Sequence, residues 1–144
     1  MVILRPELEF VPDFPDDTVW TDDDHVARYG GCGVAEAIAG MLQGLGYVVV
    51  GPYERDVLGW ELDAAKEGFR FWLRVSDPGA GNHFLATRIL NGWFLDRVRK
   101  HAQFLRDLDG ALRRDGRFNQ MRWRAINSRG EFIDSADTPV EGEV

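Results

Sequence analysis

Cysteine occurs once in this chain of 144 residues, at Cys32, and histidine three times. A single thiol excludes an internal disulfide framework and any zinc site built on two or more thiolates of one polypeptide. It also suits a reducing compartment, so the protein is expected to be cytoplasmic. No apolar run approaches the ~20 residues that a membrane span requires. The opening Met1-Val-Ile-Leu-Arg-Pro-Glu turns acidic too soon for a secretory leader. Cofactor and metal signatures are missing as well. Gly30-Gly31-Cys32-Gly33 has no Lys-Ser/Thr after it and no buried strand before it, which excludes a P-loop and a dinucleotide fingerprint. Asp22-Asp23-Asp24-His25 lacks the alternate spacing, central glycine and terminal glutamate of an EF-hand loop. No cofactor and no metal are expected.

Charge is present, and it is unevenly placed. The formal net charge is −7. Residues 1–24 carry Glu7, Glu9, Asp13, Asp16, Asp17, Asp22, Asp23 and Asp24 against Arg5 alone. Residues 128–144 carry five acids against Arg129, which leaves 15 basic and 11 acidic side chains for 25–127, a net of +4. A basic body between two acidic arms bears on partners and solubility rather than on fold. The composition is 44% hydrophobic, with five Trp and nine Phe, ample for the core of one domain of this length. The expected organisation is an acidic N-terminal arm over 1–24 packed on the core. A single α+β domain follows over 25–127, then an acidic, partly disordered tail over 128–144.

Local patterns supply the elements. Pro6, Pro12 and Pro15 forbid a helix near the N-terminus and discourage a central strand. An extended arm anchored on the core by Phe10, Phe14 and Trp20 is therefore expected, with a short helical turn at His25 to Tyr29. Val34, Ile38, Met41, Leu42 and Leu45 form one helical stripe that stops at Gly46. Tyr47 to Val50 reads as a strand. Trp60, Leu62 and Ala64 share parity, as do Phe71, Leu73 and Val75. A hairpin turning at Glu67-Gly68 then sets Ala64 opposite Phe71, Leu62 opposite Leu73, Trp60 opposite Val75 and Glu61 opposite Arg74. A one-residue slip would bury Asp63. His83 to Ile89 reads as a further strand. A helix over about 93–115 carries the stripe Phe94, Val98, Ala102, Leu105, Leu108 and Leu112 and stops at Gly116, before a last strand over 117–127. The order α-β-β-β-β-α-β implies an antiparallel sheet of about five strands with two main helices on one face.

The function follows from what the sheet exposes. Arg70, Trp72 and Arg74 share a face, Arg122 and Arg124 lie on the polar face of the last strand, and the parity of Arg88 is open. Trp and Arg are residue types that dominate interface energetics, and Asp22, Asp23 and Asp24 would attract a basic partner. The protein is read as a non-enzymatic protein-binding module, with a homodimer compatible. Small acidic α+β proteins of this kind resemble bacterial toxin-immunity proteins and secretion chaperones in size, charge and element order. That resemblance implies an inhibitor or an escort, with the inhibitor favoured because acidic segments suit a basic active site. Two alternatives stand. Cys32 in the first turn of a helix, with His83 on a later strand as base, is similar in arrangement to papain-like thiol hydrolases or transferases. The Arg/Trp face could also stack single-stranded nucleic acid, although a pI near 4.9 opposes phosphate approach.

Overall fold

The computed structural model describes residues 1–143; Val144, the last residue of the expected tail, lies outside them. Strands β1 (Val2–Leu4), β2 (Glu7–Pro12), β3 (Val19–Trp20) and β4 (Val26–Arg28) precede helix α1 (Cys32–Gly44). A meander follows: β5 (Val48–Glu54), a 3-10 turn at Asp56–Leu58, β6 (Trp60–Lys66), β7 (Phe69–Ser76) and β8 (His83–Ile89). Helix α2 (Phe94–Asp115) leads into β9 (Phe118–Ile126), β10 (Phe132–Ala136) and β11 (Val140–Gly142). The protein is α+β, with two α-helices and a large antiparallel sheet of order β10-β9-β2-β8-β7-β6-β5.

The central hairpin adopts the register that its alternation demands. Trp60, Leu62 and Ala64 lie opposite Val75, Leu73 and Phe71, and all six are buried. Both helices stop at glycine in the left-handed region, Gly46 at φ 93° and Gly116 at φ 80°. That conformation strains any residue with a Cβ. Val34, Ile38 and Leu42 of α1 and Ala102, Leu105, Leu108 and Leu112 of α2 are buried. Phe104 of α2 stacks on Phe71 at 4.2 Å, and the Trp123 indole N–H of β9 donates to Asp109 of α2 at 2.9 Å. The helices touch each other, and α1 also packs on β5, β6 and β7.

Several expectations need correction. The sheet has seven strands rather than about five, because both arms contribute. The N-terminal arm is not laid over the core; its β2 lies between β8 and β9. Prolines do not prevent this, since Pro6 precedes the strand and Pro12 ends it. Between them Leu8 and Phe10 point into the core. Phe14 is half-buried, but Trp20 is 61% exposed. Instead of a helical turn, residues 26–28 form β4, paired with β3 in a small hairpin. The C-terminal segment is ordered into β10 on the main sheet and β11 paired with β1. Arg5 explains that order. It is buried, and its guanidinium donates to Asp134 at 2.8 Å, to the Thr138 carbonyl at 3.0 Å and to Glu141 at 3.0 Å. Two acidic ends are thus tied by the one base of the N-terminal arm.

Candidate functional site

Cross-strand register decides which side chains share the face that carries no helix. Directly opposed residues of antiparallel strands point to the same side. One row therefore runs Glu61, Arg74, Ala86, Glu7, Arg124 and Ser135 across six strands. A second runs Asp63, Trp72 and Arg88, and a third Ser76, Phe84, Glu9 and Arg122. The structure brings Trp72, Arg74, Arg122 and Arg124 onto this open face, with Arg70 in register with Ala65 at its margin. Arg88, whose parity was open, joins them opposite Trp72.

Most charges on the face are matched. Glu7 pairs with Arg88, and Glu9 pairs with Arg124 and accepts from the Asn82 amide. Burial pushes the Glu7 carboxyl upward, against the pull of Arg88. Tyr53 donates to Asp63 at 2.8 Å, and Arg122 reaches Asp137 at 3.0 Å. Arg74 is the exception. Glu61 faces it in register, yet the Glu61 carboxylate is held by Arg55 at 3.0 Å. The Arg74 Nε–H is shut off from solvent and has no acceptor among the described residues. Its guanidinium lies 5.2 Å from the Trp72 ring, a cation–π contact. Beside it is a hollow of about 200 Å³ whose walls include Glu7, Arg74, Phe84, Ala86, Arg124 and Phe132. Arg124 stacks over Phe132 at 4.5 Å, and its own Nε–H also lacks an acceptor among the described residues.

The remaining expected site residues lie elsewhere. Asp22, Asp23 and Asp24 are exposed in the turn between β3 and β4, apart from the open face. Asp23 is engaged locally by the Thr21 hydroxyl and by His25 at 3.0 Å. Cys32 opens α1, as its sequence setting implied, but its sulfur neighbours are Arg28 at 2.7 Å and Glu36 at 3.4 Å. No histidine is among them, and burial together with Glu36 pushes the thiol pKa up. That is the opposite of nucleophile activation. His83 faces a separate cleft of about 230 Å³ with Asp16, Asp17, Gly31 and Asp77. Its Nε2 is 3.6 Å from Asp77, and burial pushes its pKa down. Asp17 occupies the position where a phosphate would bind at the start of α1. Its carboxylate accepts from the Gly31 N–H at 2.9 Å and the Gly33 N–H at 2.7 Å. Among the described residues no group of three or more His, Cys, Asp or Glu side chains could hold a metal ion.

Sequence reasoning missed two features. Ala86 and Phe84 shape the hollow, and the alternation in His83 to Ile89 carried the signal for their parity. The first turn of α2 was expected to bury Phe94, but Trp93 is 86% and Phe94 78% exposed. The earliest buried residue of α2 is His101, so the apolar stripe begins before the helix reaches the core. No protein-family model matches this sequence, and no curated protein matches it either. Among the described residues no helix is long and apolar enough to cross a membrane.

Proposed function

We propose that this protein is a non-enzymatic protein-binding module of the inhibitor or escort kind, engaging its partner through the helix-free sheet face. The observation that carries this reading is Arg74, an arginine in mid-face beside Trp72 whose Nε–H has no acceptor among the described residues. Unpaired, half-buried guanidinium groups are costly in a finished surface and productive in one completed by a partner. The acidic arms contribute less to attraction than their charge suggested. Glu7, Glu9, Asp17, Asp134, Asp137 and Glu141 are all engaged within the molecule. Asp22 to Asp24 remain as the exposed acidic cluster that would steer a basic region of the partner.

The test is complex formation with the protein products of genes flanking this one, measured by calorimetry with purified proteins. A Trp72→Ala, Arg122→Ala double variant should weaken the complex by at least about tenfold, with the melting temperature lowered only slightly, because the Arg122–Asp137 pair it removes is exposed. A Cys32→Ala variant should bind normally. Full affinity in the double variant would sink the reading. A thiol hydrolase would instead lose all activity with Cys32, so the same two variants separate the classes.

A further inference from the structure

We infer that the hollow beside Arg74 is a carboxylate subsite, completed by one negatively charged group of the partner. This inference rests on the open face being the binding surface. Three arginines, Arg74, Arg88 and Arg124, border the hollow against two carboxylates, Glu7 and Glu9. The cluster therefore carries one uncompensated positive charge. Glu61, which faces Arg74 in register, pairs with Arg55, and the two carboxylates of the hollow pair with other arginines, Glu7 with Arg88 and Glu9 with Arg124; Glu7 feels the charge of Arg74 without pairing with it. In the row Arg74–Ala86–Glu7, the small Ala86 leaves room where a longer side chain would fill the space between base and acid.

The chemistry of the walls narrows the ligand. Phe84 and Phe132 flank the hollow, Arg124 stacks on Phe132, and Arg74 lies near Trp72. Stacking keeps each guanidinium plane fixed and limits the rotamer freedom lost when an anion docks. A guanidinium fork presents parallel donors to a planar carboxylate, and the aromatic walls accept apolar atoms next to it. The subsite thus takes a carboxylate adjoining an apolar group. Two sources in a partner protein supply that chemistry: a free C-terminal carboxylate on an apolar residue, or a Glu or Asp side chain beside one. A large polyphosphate does not fit, because Glu7 and Glu9 would face its additional charges.

The experiment titrates the full-length protein with three short peptides and follows the arginine side-chain ¹⁵N–¹H resonances by NMR. The Arg74 Nε–H is shielded from water, which slows its exchange and makes it observable. One peptide ends in a free phenylalanine carboxylate. A second has an amidated phenylalanine end and an internal glutamate. The third replaces that glutamate by glutamine. Saturable shifts of the Arg74 resonance with the first or the second identify the source, and the third should produce none. Arg74→Ala should reduce carboxylate affinity about tenfold or more, the usual weight of a charge-assisted hydrogen bond, and Arg74→Lys should recover part of it. The inference is overturned if no peptide shifts Arg74, or if the glutamine peptide shifts it equally. A complex that needs Trp72 but is indifferent to Arg74→Ala would overturn the subsite alone. A partner complex insensitive to every change on the face would overturn the module reading itself.

Discussion

His101 shows how far the titration of one side chain can be displaced by its surroundings. It is buried beneath the sheet, with its Nε2 3.0 Å from the Thr87 hydroxyl oxygen. That hydroxyl donates to the Pro6 carbonyl at 2.9 Å, so the neutral ring donates its Nε2–H to Thr87. Burial, and secondarily Arg88 and Arg97, lowers its pKa from 6.5 to about 4. Between those two values the unfolded state binds a proton that the folded state refuses. Stability from this group is therefore complete above about pH 6.5 and falls as pH drops toward about 4. The loss should reach up to about 3 kcal/mol. Urea midpoints at about pH 7.5 and about pH 4.5 should differ less in His101→Gln than in the parent; an unchanged difference would refute the assignment. At Cys32 the expectation is chemical inertness. With the thiol pKa raised, alkylation at neutral pH should be slower than for a free thiol, and fast modification near pH 6 would contradict the structure.

Among the elements, the β6–β7 hairpin and the joined termini carry the clearest energetic statements. Leu73 is fully buried at the centre of the sheet, and Leu73→Ala should cost about 2–5 kcal/mol in denaturant unfolding. Arg74→Ala, by contrast, removes no ion pair among the described residues and should cost well under about 1 kcal/mol. Arg5→Ala is the sharper test of the terminal junction. It would leave the Thr138 carbonyl, Asp134 and Glu141 without their common donor. Both carboxylates are partly solvated, so the loss should be nearer about 2 kcal/mol than the full cost of breaking a deeply buried pair. Hydrogen exchange should accelerate selectively in β1, β10 and β11. Uniform acceleration across the sheet would show that the junction is not a separate unit.

For the whole molecule, the placement of β2 decides what truncation does. A loosely applied arm could be removed to expose a basic body. Here residues 1–12 supply the strand that joins the β5–β8 meander to β9 and β10. Deleting them would strip Leu8 and Phe10 from the core and leave β8 and β9 with unpaired edges. The truncated protein should lose cooperative unfolding and near-ultraviolet circular dichroism. A soluble, cooperatively folded remainder would show that β2 is dispensable.

The amino-acid sequence by itself determined whatever depends on neighbours a few residues apart. The hairpin register was legible because period-two alternation leaves a single arrangement that buries no carboxylate. Most of the helix stripes and the glycine stops were legible for the same local reason. The Arg/Trp face was readable too, since parity along β7 and β9 places those residues together. Tertiary structure decided what depends on competition between distant groups. Glu61 stands opposite Arg74 as expected, but Arg55, in the turn before β6, takes its carboxylate and leaves Arg74 free. Asp17 caps α1 from 14 and 16 positions away. Residues 7–10 were expected to be part of an extended arm, although Glu7, Leu8, Glu9 and Phe10 alternate as a half-buried strand does. Nothing local says whether such a strand lies at an edge or in the middle, because both environments bury the same two residues. Only closure of the sheet on both sides of β2 could place it there.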